Sequence, residues 1–406
     1  MIKRVLVTSG HYFLGSVVGK ALGTVVFILL AKLLLPEGLG KVAFFTTLVD
    51  VITVFSSFGL SQWYLKHVRT ESVDQTFQKV IAIRVVLLVL TLIIVTVFLL
   101  VFQPFSLLIA VSLLLILGSE SFLSIGDGYF LQKAQVWRVT SKVTSKMLVT
   151  ILGVGFLYFS GFNVSADSVI YLYVMSSFVT LLWFFPWKLL RKMKILNVIE
   201  VQKTAKESFP YAALIGTSFF YARADWFIVQ QFLGSASLGM YSAAYRYLDA
   251  VSLVPAALTQ TLFPISAKKD GVQLKQVIKI TSVMTIIGLL TSCSLFVFSG
   301  PLTTGLLGLS YMPAQYLVQI FSLAVLLFFI NSPLSTVVQS SSLVKNFLPY
   351  GVANTVVNII LNVLLIPRFG LPGAAFVMVV TEVTGLAINL WFVRKIYDSR
   401  DKRVLI

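Results

Sequence analysis

Residues that carry common catalytic and metal chemistry are scarce in this chain. Its 406 residues include a single cysteine, Cys293, and only two histidines, His11 and His67. One cysteine excludes an intramolecular disulfide, and two distant histidines do not make a metal-ligand pattern. No nucleophile elbow or phosphate-binding loop occurs either. The sequence therefore predicts no enzyme and no bound cofactor.

Charge is also rare, and negative charge is the rarer sign. Only 12% of the residues are charged, with 32 Lys and Arg against 15 Asp and Glu, while 58% are hydrophobic. A soluble protein carries about 25% charged residues, so the composition predicts an integral membrane protein. Twelve apolar runs are long enough for a helix to cross a bilayer, which needs about 20 residues. The predicted spans are 11–35, 41–65, 79–102, 105–131, 140–160, 167–187, 208–232, 237–266, 276–300, 314–341, 347–367 and 371–393.

The positive charges fall on alternate connections between these spans. One set of connections holds most of them, and Arg138, Lys142 and Lys146 are counted in it. The opposite set holds only Lys41 and Arg368. An excess of Lys and Arg marks the cytoplasmic side, so both termini are predicted to be cytoplasmic. The net charge of +17 then reports topology and does not indicate a nucleic-acid partner.

The two halves of the chain are related by an internal repeat. A shift of 199 positions places Leu39-Gly40 on Leu238-Gly239 and Asp50 on Asp249. With six spans in each half, this predicts two pseudo-symmetric lobes around a central cavity, a plan known for transporters. The predicted organisation is an N-terminal lobe of helices 1–6 at 1–195, a cytoplasmic linker at 196–207, and a C-terminal lobe of helices 7–12 with a cytoplasmic tail at 208–406.

Three cations lie within predicted spans from both halves. They are Lys20, Arg223 and Arg246. A charge at the bilayer centre costs about 2.5–3.5 kcal/mol on insertion scales, so such residues face protein or a water-filled cavity. Three buried cations predict an internal site for an anion.

Four carboxylates lie at similar depth and allow two interpretations. They would either bind a coupling H⁺ or Na⁺ or act as counter-ions to the cations. Local pairs between Arg246 and Asp249, and between Lys20 and Asp50, are both open. Arg223 and Asp225 are two residues apart and point to nearly opposite faces of a helix, so they are not expected to pair. The four acids are Asp50, Asp225, Asp249 and Glu382.

Two more acids, Glu120 and Asp127, share one face of the fourth span because they are seven residues apart. They are interpreted as a cation or proton site, as side chains that snorkel to the interface, or as partners of Lys133 or Arg84. The aromatic residues near Arg223, which include Trp226, suit sugar contact, contact with lipid or packing.

Several segments resemble a known family. They are residues 31–40 (AKLLLPEGLG), 58–60 (FGL), 223–234 (RADWFIVQQFLG), 238–246 (LGMYSAAYR) and 366–375 (IPRFGLPGAA). Together they resemble the Wzx-type O-antigen and polysaccharide flippases of the multidrug/oligosaccharidyl-lipid/polysaccharide (MOP) exporter superfamily, over nearly the whole chain.

The resemblance implies an all-α, MATE-like fold and translocation of an undecaprenyl-pyrophosphate-linked oligosaccharide, such as a lipopolysaccharide precursor, across the inner membrane. Lys20, Arg223 and Arg246 would contact the pyrophosphate, and the acids would orient them or couple transport to H⁺ or Na⁺. A polysaccharide polymerase and a chain-length regulator are the implied protein partners. A drug/cation antiporter and a peptidoglycan-precursor flippase of the same superfamily are the alternatives.

Overall fold

The computed structural model describes residues 2–68, 73–102, 105–133, 135–188, 197–267 and 272–404. Helices make up nearly all of this part, which confirms the predicted all-α class. The first half holds α1 (Ile2–Ser57), α2 (Leu60–His67), α3 (Val73–Phe102), α4 (Leu107–Gln132), α5 (Val136–Phe159) and α6 (Ala166–Phe184). The second half holds α7 (Val198–Val251), α8 (Leu253–Ser266), α9 (Leu274–Val297), α10 (Ala314–Ser340) and α11 (Val344–Val404).

Three of these helices are bent pairs of predicted spans. The bends fall at Leu35 in α1, Gly234 in α7 and Gly370 in α11, each with a positive φ. The second predicted span is the end of α1 followed by α2, and the eighth is the end of α7 followed by α8. Eight helices of the described chain are long and apolar enough to cross a membrane. The protein is therefore a multi-pass membrane protein.

The bends also carry the internal repeat. Leu35 (φ 56°) and Gly234 (φ 81°) are separated by the same 199 positions as the Leu-Gly pairs. A positive φ is costly for leucine but not for glycine. Each of the two repeat-related glycines contacts the backbone next to the bend of the other repeat: Gly40 contacts the residue after Gly234, and Gly239 contacts the residue after Leu35. A Cβ added to Gly40 would lie 1.8 Å from the carbonyl oxygen of Ser235, and one added to Gly239 would lie 1.8 Å from that of Pro36. Both positions therefore admit only glycine.

We expect Gly239→Ala to lower the melting temperature of the purified protein. The new methyl group must push the two backbones apart, and overpacking of this kind typically costs about 1–3 kcal/mol. Gly118→Ala in α4 is the matched control, because an added Cβ there meets nothing within 4 Å and alanine favours helix. A Gly239→Ala protein that melts at or above the wild-type temperature would contradict the close approach.

The described chain forms two compact units. The first comprises Met1–Leu34 and Lys41–Phe219, and the second comprises Leu35–Gly40 and Phe220–Ile406. The residues predicted as the inter-lobe linker are helical from Val198 onward and form the start of α7. The unit boundary therefore falls inside α7, because this helix runs on without a break from the linker into the seventh span. The lobe limits inferred from the sequence remain a prediction.

Each unit is built around one central helix. In the first unit α4 packs against α2, α3, α5 and α6, and in the second α10 packs against α8, α9 and α11. Helix α1 also contacts α5, where a Cβ on Gly15 would collide with Thr140 and one on Gly19 would touch Val143. Small residues allow this close approach of two helices.

Candidate functional site

A cavity of about 270 Å³ lies inside the second unit, between α7, α10 and α11. Apolar residues of α10 form part of its wall, including Val325 and Phe328. The rest of the wall comes mainly from α7 and α11 and includes both apolar and polar side chains. The polar lining residues are Tyr221, Asp225, Tyr245, Asp249, Ser252, Asn358, Asn362, Thr381 and Glu382. Three of the four predicted acids thus line one cavity.

Arg223 is held by an acid and two aromatic rings. Its Nη2 lies 3.7 Å from Oδ2 of Asp249. Its guanidinium carbon lies 4.4 Å from the ring centre of Trp226 and 4.8 Å from that of Tyr245. Cation–π contacts of this kind stabilise a partly desolvated guanidinium. The sequence did not reveal this partner, because Asp249 lies 26 positions further along the chain, beyond the bend of α7 at Gly234.

Asp225 is hydrogen-bonded to Tyr241 and to its own helix. Its Oδ2 accepts a hydrogen bond from the hydroxyl of Tyr241, and its Oδ1 accepts one from the backbone N–H of Trp226 at 3.0 Å. Both donors are neutral. The carboxyl group also lines the cavity.

Glu382 on α11 is the most buried of the three acids, with 8% of its surface exposed. Its Oε2 accepts a hydrogen bond from Nδ2 of Asn331 at 2.9 Å, and its Oε1 lies 3.4 Å from the donating hydroxyl of Tyr221. These partners are also neutral. A buried carboxylate with neutral donors is expensive inside a membrane and is typical of a functional position.

A network of asparagine and threonine side chains continues from Glu382 along α11. Asn354, Asn358 and Asn362 recur every four residues, so they share one helix face. Nδ2 of Asn358 lies 3.4 Å from Oγ1 of Thr381, and Nδ2 of Asn362 donates to Oδ1 of Asn358 at 3.0 Å. The sequence analysis missed this network. The i, i+4, i+8 spacing of three amides inside an apolar run was the signal that could have revealed it.

The cavity offers oxygen ligands. Carboxylate, amide and hydroxyl oxygens suit a proton or a hard cation such as Na⁺. In the described chain no cluster of three or more His, Cys, Asp or Glu residues could hold a metal ion. Asp225 and Glu382 are the two lining acids that accept hydrogen bonds from neutral donors.

The remaining predicted site residues divide between the two units. Lys20 and Asp50 belong to the first unit, and Arg246 belongs to the second. The structure pairs Asp249 with Arg223, because the bend of α7 brings the two segments side by side. No ion pair joins Lys20 to Asp50 in the part of the chain that the structure describes.

The expected partners of Glu120 and Asp127 were wrong. Glu120 pairs with Lys146, and Asp127 pairs with Lys142. Both lysines had been assigned to a cytoplasmic connection, but they lie on α5, whose first turns place them beside α4. Lys133 instead pairs with Asp74 at 3.0 Å. Arg84 is buried and donates to Ser124 of α4 at 3.1 Å.

The fold of this chain is similar to the folds of several solved membrane proteins. An inward closed structure of the lipid II flippase MurJ superposes with a TM-score of 0.72 at 15% identity, covering 94% of this chain and 87% of MurJ. An inward-facing multidrug resistance MATE family transporter of the MOP superfamily gives a TM-score of 0.68 at 14% identity, covering 96% of each chain. The predicted MATE-like fold is confirmed.

The sequence comparisons place the chain in a family. The profile of the polysaccharide biosynthesis protein family matches residues 8–270, so the chain belongs to that family. The probable low-salt glycan biosynthesis flippase Agl15 of Haloferax volcanii is 28% identical over 251 residues. That alignment covers 59% of this chain and 51% of the relative, so it spans about half the relative's length.

Proposed function

We propose that the protein is a flippase that moves an undecaprenyl-pyrophosphate-linked oligosaccharide from the cytoplasmic to the outer leaflet of the inner membrane. The observation that carries this proposal is the charged, oxygen-lined cavity inside a helical unit, in a chain of the polysaccharide biosynthesis protein family. The names of Agl15 and MurJ, both flippases, support the same activity. An O-antigen repeat unit is the proposed glycan.

Transport of a large polar headgroup uphill needs an energy source. We assign that role to the cavity of the second unit, where Asp225 and Glu382 would bind H⁺ or Na⁺. A cation bound there neutralises a carboxylate and so changes which helix arrangement is favoured. Asp249, held by Arg223, would orient that arginine rather than bind the ion. Asp50, the repeat-related acid of the first unit, would orient a cation in the same way.

The diphosphate needs cations along its path. Lys20, Arg223 and Arg246 remain the proposed contacts, because charge-assisted hydrogen bonds to phosphate oxygens are the strong ones. Both termini would lie in the cytoplasm, as the distribution of Lys and Arg indicates. A polymerase and a chain-length regulator would act on the translocated glycan.

Export of an organic cation is the second candidate. Three carboxylates line the cavity of the second unit beside Tyr221 and Tyr245, and such a site also suits a cationic aromatic compound. The MATE structures share this fold. The cations Lys20, Arg223 and Arg246 favour an anionic substrate instead.

The two candidates separate in one reconstituted system. We expect purified protein in liposomes to move a fluorescent undecaprenyl-diphosphate oligosaccharide between leaflets and to leave ethidium gradients unchanged. Glycan exposure would be measured by a glycosidase that cannot cross the membrane, with empty liposomes as the control. Ethidium transport without glycan translocation would overturn the flippase assignment.

A further inference from the structure

Helix α5 carries three cations at four-residue intervals, Arg138, Lys142 and Lys146. Residues spaced by four lie on one helix face, so these three form a continuous row, which we call the α5 basic stripe. All three belong to α5 (Val136–Phe159). The row begins in the first turn of α5, next to the predicted cytoplasmic connection.

Two residues of the stripe, Lys142 and Lys146, contact acids on the neighbouring helix α4. Lys142 contacts Asp127, and Lys146 contacts Glu120, which also accepts a hydrogen bond from Ser177 of α6 at 2.6 Å. The side chains of Lys142 and Lys146 retain 16% and 21% exposure. Both lysine side chains are therefore partly exposed.

Positive charge exceeds negative charge around the stripe. Arg138 stacks over Phe130 at 5.0 Å and Trp137 at 5.3 Å, and it makes no ion pair with a described residue. Buried Arg84 of α3 donates one hydrogen bond to Ser124 of α4. Its Nε and Nη1 have no hydrogen-bond partner among the described residues. Two acids therefore stand among more cations than they can neutralise.

Lys20 adds a further cation at the same depth. Gly15 of α1 meets Thr140 of α5, and Gly19 meets Val143, so the two helices run in the same direction at this contact. That register places Lys20 level with the turn of α5 between Lys142 and Lys146. The side chain of Lys20 is exposed.

The first two residues of the stripe, Arg138 and Lys142, also line a small recess. Arg138, Lys142 and Asp127 line it together with Phe184 and Phe185 at the end of α6. The recess has a volume of about 10 Å³, which is room for about one water molecule. A diphosphate would therefore contact the stripe along the exposed sides of its cations and not inside this recess. Two Lys–acid pairs would suffice to join α4 to α5, and neither Arg138 nor Lys20 is needed for that.

We propose that the α5 basic stripe, with Lys20, binds the diphosphate of the lipid-linked glycan as it is taken up by the first unit. This inference rests on the proposed function and names where its anion is held. Phosphate oxygens would replace Asp127 and Glu120 as partners of Lys142 and Lys146, while Arg138 makes the first contact. The acids keep the lysines ordered when no substrate is present.

Binding of farnesyl diphosphate to the protein in lipid nanodiscs tests this, with inorganic pyrophosphate and farnesol as separate ligands. We expect Arg138→Gln to weaken farnesyl diphosphate binding about tenfold, the loss typical of one charge-assisted contact. Because Arg138 has no acid partner in the described chain, its replacement leaves no orphaned carboxylate. Asp127→Asn should tighten binding, since it removes the group that competes for Lys142. Lys279→Gln on α9 is the matched control and should bind as wild type.

The double variant Lys142→Gln/Asp127→Asn separates anion binding from helix pairing. It has no orphaned charge, so its melting temperature should stay close to wild type while its binding remains about tenfold weaker. Wild-type binding by this variant and by Arg138→Gln would overturn the inference. Equal binding of farnesol and farnesyl diphosphate would also overturn it. Glycan flipping measured in the same preparations keeps the two proposals apart. If the variants flip glycan and bind farnesyl diphosphate as wild type does, only the proposal that the α5 basic stripe binds the diphosphate is rejected. If the stripe variants weaken binding but the wild-type protein does not flip glycan, only the flippase proposal is rejected.

Discussion

An imposed ion gradient is expected to accelerate glycan flipping by the wild-type protein about tenfold or more, which is a typical effect of coupling between two sites. Replacing Glu382 by glutamine is expected to abolish this acceleration. The amide keeps the shape of the side chain and still accepts the hydrogen bond from Asn331. It cannot bind a proton or Na⁺ as the carboxylate does. The measurement is the initial flipping rate in proteoliposomes with and without a proton or Na⁺ gradient.

Asp225→Asn should behave in the same way, because Asp225 also faces the cavity with neutral donors only. Asp167→Asn at the start of α6 is the matched control, since this acid is exposed and lies outside the cavity. Melting temperatures establish that each variant is folded. If Glu382→Gln and Asp225→Asn both flip with a full gradient response, these acids are structural and coupling lies elsewhere.

Arg223→Ala is expected to reduce flipping about tenfold or more while lowering stability only moderately. Arg223 and Asp249 keep 24% and 41% side-chain exposure, and a partly exposed ion pair contributes about 0–1 kcal/mol. The stacking on Trp226 and Tyr245 adds about 0.5–2 kcal/mol. Flipping rate and melting temperature are measured on the same preparation.

The double variant Arg223→Ala/Asp249→Asn decides what the arginine is for. If Arg223 serves only to neutralise Asp249, removing both charges restores both stability and flipping. If it contacts the diphosphate, stability returns but flipping stays low. Arg223→Lys provides a further comparison, because it keeps the charge but loses the planar group that stacks on the rings.

Much of the fold could be predicted from the sequence, because the membrane makes strong demands on composition. A helix in lipid must satisfy its backbone internally and cover about 20 residues with apolar side chains. These demands revealed the spans and the all-α class. The Leu-Gly repeat was also informative, since Gly40 and Gly239 are fixed by a backbone approach that no other residue allows.

The partners of the charged side chains could not be predicted in the same way. Spacing along one helix shows which residues share a face. It does not show which helix lies opposite. The pairing of Arg223 with Asp249 depends on the bend at Gly234, and the pairing of Lys142 with Asp127 depends on how α5 packs beside α4.

The assignment of Lys and Arg to one side of the membrane from the sequence also does not show which side chain each cation contacts. Lys142 and Lys146 were counted as cytoplasmic because they lie near a basic connection. A lysine in the first turns of a span contributes to the same count whether it faces water or a carboxylate. Only the structure shows that both contact acids, and this is why the α5 basic stripe was overlooked.

The most direct test of the central claim is the flipping rate of a fluorescent undecaprenyl-diphosphate oligosaccharide in liposomes that contain only this protein. Protection from an external glycosidase reports the leaflet in which each glycan lies. We predict that translocation requires the protein, responds to an ion gradient, and loses that response in Glu382→Gln. Translocation no faster than in empty liposomes, from a protein that melts cooperatively and is present in both orientations, would contradict the account.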